Sequence, residues 1–89
     1  MAQIAFTRHL RNVIDTDLRQ MPGDTVRSVL DAAFEETPAA RTYILDDAGN
    51  LRKHVAIFLN NKREGPEEVL DMPVTDACEI YVMQALSGG

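Results

Sequence analysis

Apolar positions along this chain follow two periods. "QIAFTR" (residues 3–8) sets Ile4 and Phe6 against Ala5 and Thr7, the two-residue alternation of a half-buried strand. A polar loop follows through Arg11 and Asn12, and "TDLRQM" (16–21) predicts a second short strand returning beside the first before Pro22 and Gly23 break the pattern. In "GDTVRSVLDAAFEE" the period changes: Val26, Val29, Leu30, Ala33 and Phe34 fall at i, i+3, i+4, i+7 and i+8, one apolar stripe of a helix. Asp24 or Thr25 can cap its start by accepting from first-turn amides, and Pro38 stops it at Thr37. Residues 38–53 are less regular, with "PAARTYIL" suited to a short second helix and "DDAGN" to a turn.

"HVAIFLN" alternates Val55, Ile57 and Leu59 with Ala56 and Phe58, a strand apolar on one face and partly so on the other, which places it centrally in a sheet. Asn60 and Asn61 tolerate positive φ and suit a tight turn into a short return strand at "KRE". "GPEEVLDMPVTD" reads as loop with one helical turn, and "CEIYVMQ" is the last strand, Ile80 and Val82 alternating with Tyr81 and Met83. The order strand, strand, helix, strand, short strand, strand predicts an α+β domain: a mixed sheet of four to five strands with one main helix packed on one face. With the two strongest strands side by side, this is a β-grasp arrangement.

Length allows one domain, residues 1–89, with a tail over 84–89 expected to be flexible. The single cysteine, Cys78, excludes an intramolecular disulfide and any site built from several thiolates. With no secretory signal at the start and no run of about 18 apolar residues, a soluble cytoplasmic protein is expected, away from membranes. The formal charge of −5, from 14 acids against 9 bases, argues against nucleic acid, whose phosphates require clustered Lys and Arg. Six acids (Glu64, Glu67, Glu68, Asp71, Asp76, Glu79) follow Arg63 with no later Lys or Arg. Such a run is either a solvated face or a surface steered toward a basic partner.

Catalytic constellations are scarce. His9 and His54 lack partners at metal-ligand spacing, Cys78 has no adjacent cation, Ser28 has no base, and no phosphate-binding glycine loop is present. No bound cofactor or metal is expected, and the chain is not read as an enzyme. What remains is "MQALSGG". A terminal carboxylate is ionised at neutral pH and can attack an activated phosphate. Without Cβ atoms, Gly88 and Gly89 can pass a narrow channel and leave the carbonyl open. Six residues from Gln84 extend up to about 20 Å. Alone the pair carries little weight, because frayed ends often finish in Gly or Ser.

Its context adds weight. The helix opened by "DTV", the "IFLNNKR" strand and turn, the "L-D-x-P-V-x-D" loop of Leu70 to Asp76, the strand "EIYVM" and the terminal Gly-Gly together resemble the MoaD/ThiS sulfur-carrier family, over most of the chain. The resemblance implies a ubiquitin-like fold and a carrier whose C-terminal glycine is adenylated with ATP by an E1-like adenylyltransferase. A sulfur donor then converts it to a thiocarboxylate, which passes sulfur to a biosynthetic enzyme. On that resemblance Gly89 carries the sulfur, Gly88 gives clearance and Leu86 helps seat the tail. Ala77 departs from the family's usual Asp-Gly turn, and the long "DDAGNLRKH" stretch is more similar to carriers tied to cysteine or related sulfur-amino-acid synthesis than to short thiamine-type ones. Molybdopterin and thiamine pathways stay open as recipients. So do two other classes, a ubiquitin-like modifier conjugated through Gly89 and a plain β-grasp interaction module.

The pleat makes a separate prediction. With Val55, Ile57, Leu59, Ile80 and Val82 facing the helix, Phe58, Tyr81 and Met83 emerge on the opposite face as a candidate partner-binding patch beside the tail. The alternative is that residues 38–53 fold over and bury it.

Overall fold

The helical stripe is the organising element. In the computed structural model, which describes residues 1–8 and 16–84, α1 (Val26–Glu36) buries Val26, Val29, Leu30, Ala33 and Phe34. Thr25 caps it: its Oγ1 accepts from the Ser28 amide at 3.2 Å, and Ser28 Oγ accepts from the Thr25 amide at 3.0 Å. This reciprocal box satisfies two amides that the first turn would leave unpaired, and it occupies the Ser28 hydroxyl. Gly23 makes the entry possible. Its φ is +148°, and a Cβ there would stand 2.7 Å from the backbone nitrogen of Val29. Gly23→Ala is therefore expected to lower stability by about 2 kcal/mol, read as a fall in the urea midpoint at unchanged m-value.

The sheet order is β2-β1-β5-β3-β4. β1 (Ala2–Phe6) and β2 (Arg19–Met21) form the antiparallel first hairpin, and β1 runs parallel to β5 (Glu79–Gln84). β5 pairs antiparallel with β3 (Val55–Leu59), which pairs with the two-residue β4 (Lys62–Arg63). The two strongest strands are neighbours as predicted, but the centre belongs to β5, with β3 one place out. The β3–β4 turn has positive φ at Asn60 (53°) and Asn61 (70°), values that asparagine tolerates better than most residues.

Ala2, Ile4, Phe6, Val55, Ile57, Leu59, Ile80 and Val82 turn one sheet face toward α1 and join it in a single core. α2 (Pro38–Ile44), with proline in its first turn, adds Ala40 and Ile44 to that same core, and Leu45 follows. Loop 45–54 is tied to the helix side: Asp46 Oδ1 accepts from the amides of Ala48 and Asn50, and Arg27 Nη1 donates to the Gly49 carbonyl at 3.0 Å. The loop before β5 is braced by α1's entry, the Val26 amide donating to Met72 O and the Val74 amide to Asp24 O. It buries Val69 and Leu70 through a single 3-10 turn, Val69–Asp71. The turn carrying Ala77 has no positive φ there, so alanine fits where the resemblance led one to expect glycine.

Candidate functional site

β5 has residues of opposite fate in alternation. Ile80 and Val82 are buried against α1; Tyr81 is half-buried and Met83 is 41% exposed on the other face. Register determines their company. Phe58 pairs with Tyr81 and Ala5 pairs with Tyr81 from the other side, while Ala56 pairs with Met83. Paired residues share a sheet face, so an open face presents Phe58, Tyr81 and Met83 flanked by the small Ala5 and Ala56. These two alanines are buried yet stand apart from the core. Phe58, Asn61, Tyr81 and Met83 line a shallow depression of about 350 Å³ there. Because α2 and the following loop pack on the helix side, they leave this patch uncovered.

Met83 also borders a second depression. At the end of the sheet where β5 finishes, Thr7, Tyr43, Ile44, His54, Val55, Val82, Met83 and Gln84 line a groove of about 320 Å³. Tyr43, 50% exposed, stands on α2 between the inward-facing Ala40 and Ile44. It is not among the candidate residues named from the sequence. The signal lay in the helix period, since Ala40 and Ile44, four apart, face the core and leave Tyr43 outside that stripe. Gln84 closes the described part of β5 directly opposite Val55 and lines this groove. Leu86, Gly88, Gly89 and His9 lie outside the described residues.

The remaining candidate groups are accounted for locally. His54 is exposed at the groove's edge. Cys78 Sγ accepts from the Thr75 amide at 3.3 Å, lies 3.6 Å from Thr75 Oγ1 and accepts from Asn60 Nδ2 at 3.7 Å. The Thr75 amide first, then the Thr75 hydroxyl and, more weakly than burial opposes it, Asn60 hold the thiol below its ordinary pKa. Asn60 also accepts the Glu79 amide at 2.9 Å, so the cluster fixes the β3–β4 turn to the start of β5. Of the acidic run, Asp71 faces Arg27 at 3.7 Å and Glu79 lies half-buried opposite Gln3. Among the described residues no group of three or more His, Cys, Asp or Glu is placed to hold a metal, and no helix is long and apolar enough to cross a membrane.

No protein-family profile and no curated sequence matches the chain. Solved structures do. CysO of Mycobacterium tuberculosis is 17% identical with a TM-score of 0.83, the match covering 97% of this chain and 100% of that one. The small archaeal modifier protein SAMP1 of Methanosarcina acetivorans is 22% identical with a TM-score of 0.82, covering 99% and 95%. A chain of the Amycolatopsis orientalis BexX/CysO complex is 16% identical with a TM-score of 0.81, covering both chains fully. At these identities the likeness concerns the fold: the chain has the ubiquitin-like β-grasp architecture over essentially its whole length.

Proposed function

We propose that the chain is a sulfur carrier of the MoaD/ThiS type and acts as a protein co-substrate. The observation that carries this reading is the position of Gly88 and Gly89, four and five residues after Gln84, where β5 ends, in a fold shared over nearly its full length with CysO and SAMP1. The Gly89 carboxylate attacks the α-phosphate of ATP on a partner adenylyltransferase, releasing pyrophosphate and forming an acyl-adenylate. A sulfide-equivalent donor then adds to the acyl carbon and expels AMP, leaving a thiocarboxylate for a sulfur-accepting biosynthetic enzyme. ATP belongs to the partner's site. The open face of Phe58, Tyr81 and Met83 supplies the apolar contact that holds the carrier while the tail reaches inward. The solved CysO of Amycolatopsis orientalis is in complex with a second protein, BexX, which supports a carrier that works through partners.

Intact mass after incubation with an adenylyltransferase, ATP and a sulfur source is expected to show one oxygen replaced by sulfur, located at Gly89 by fragmentation. Unchanged mass with an adenylyltransferase that converts a control carrier defeats the reading. The name small archaeal modifier protein, carried by SAMP1, favours a second outcome of the same activation, an amide between Gly89 and a lysine of a target protein. Conjugates that survive reducing denaturation and leave a Ser-Gly-Gly remnant on lysine after chymotryptic cleavage at Leu86 distinguish it, since the chain has no Lys or Arg after Arg63 for trypsin to cut.

A further inference from the structure

The chain is acidic, yet four of its described cations, Arg52, Lys53, Lys62 and Arg63, lie around the start of β3 and the short β4, apart from Arg8 after β1. Arg19, Arg27 and Arg41 are each within 4 Å of a carboxylate, at 2.9, 3.7 and 3.8 Å from Glu36, Asp71 and Asp31. Arg52, Lys53, Lys62 and Arg63 have no carboxylate within that range among the described residues. Arg52, Lys53 and Arg63 line one cleft of about 390 Å³ between the loop entering β3 and β4, with Leu51, Val55 and Pro66 as apolar lining and Glu67 as its single acid. Arg52 is fixed there: its amide donates to Ile44 O at 3.0 Å and its Nε to Thr42 O at 2.7 Å. The guanidinium is thus held in place with its terminal nitrogens unengaged. Arg63 shares a sheet face with Phe58, its partner across β3 and β4, and Val55 pairs with Gln84 at the root of the tail.

We propose that this cleft is a docking site for an acidic peptide segment of a protein partner. Its volume suits a short stretch of chain better than a lone phosphate. Cations on two walls around an apolar floor match carboxylates spaced along a backbone with aliphatic stems between them. The rest of the described surface carries more acids than bases, so such a segment is directed to this corner. A partner engaged here also covers the edge of the open face and reaches the base of the tail, so the cleft selects which protein receives it. That consequence rests on the carrier reading, whereas binding at the cleft does not.

The test uses the full chain and an N-acetylated hexaglutamate peptide, followed by backbone amide NMR. Saturable shifts confined to residues 50–55 and 62–67 are expected, weakening several-fold as salt rises from about 0.02 to about 0.2 M. The triple variant Arg52→Gln, Lys53→Gln, Arg63→Gln is expected to bind about tenfold more weakly, while Arg41→Gln on α2 binds as the parent does. All four side chains are half-buried or exposed, and unchanged far-UV circular dichroism and Tm verify folding. No saturable shift, shifts centred elsewhere, an unaffected triple variant, or inorganic phosphate producing the same shifts at equal concentration overturns the proposal. Since sulfur transfer is not read, a failed mass experiment at Gly89 and a failed titration here are distinct results.

Discussion

Appending one alanine after Gly89 is expected to reduce thiocarboxylate formation by about a hundredfold or more, with no change in Tm. Activation requires a free carboxylate at the place where the partner positions ATP. The extension turns the Gly89 carboxylate into an amide and moves the charge outward by one residue, about 3.5 Å. A misplacement of about 1 Å in a reacting group already costs on the order of a hundredfold in rate. The added Cβ also lies where the two glycines give clearance. Stability is expected to hold because the described sheet finishes at Gln84, whose last strand pairing is with Val55. Pyrophosphate release and intact mass, measured side by side for parent and extended chain, check this. Equal conversion of the two would mean that a free carboxylate at Gly89 is not what the partner requires, whereas conversion of neither would make a plain interaction module the better reading.

Legibility of the fold followed the strength of each periodic signal. The stripe from Val26 to Phe34 predicted α1, and the capping choice between Asp24 and Thr25 fell to Thr25 because Ser28 completes the reciprocal box. The alternation in β3 and β5 assigned each residue to its face, since a one-residue slip would have buried Phe58 and Tyr81 and exposed Ile57 and Ile80. Strand order was less legible. The parallel pairing of Ile4 with Ile80 joins residues 76 positions apart, and nothing local in either segment encodes it. The same limit hid the basic cleft. Lys53 and Arg63 are ten positions apart in a stretch that reads as turn and edge strand, and only the fold of β3 onto β4 brings them to one wall and its opposite. Residues 38–53 lacked a period because their positions depend on loop bonds such as Asp46 to Asn50 and Arg27 to Gly49, with Ala40, Ile44 and Leu45 in the core and Leu51 packed against it.

Ile80 and Met83 lie on one strand and are expected to fail in opposite ways. Ile80 is fully buried at the centre of the sheet, opposite Ile4 and Leu59. Ile80→Ala removes three buried carbons and leaves a cavity bounded by α1 and two strands, for an expected loss of about 3 to 4 kcal/mol. Domains of this size have on the order of 5 to 10 kcal/mol in total, so the variant is expected to unfold at a sharply lower urea concentration and to lose every function with it. Met83 is 41% exposed and borders both depressions, one with Phe58 and Tyr81 and the other with Tyr43 and His54. Met83→Asp changes no core contact and is expected to alter stability by less than about 0.5 kcal/mol. In a complex, however, its carboxylate would be buried against apolar partner surface without a counter-charge, a cost of several kcal/mol, so adenylyltransferase affinity should fall by about a hundredfold or more. Urea denaturation and calorimetric titration of both variants separate the two faces. A Met83→Asp protein that binds its adenylyltransferase as the parent does would remove the open face from the interface and leave recognition to the tail and other surfaces.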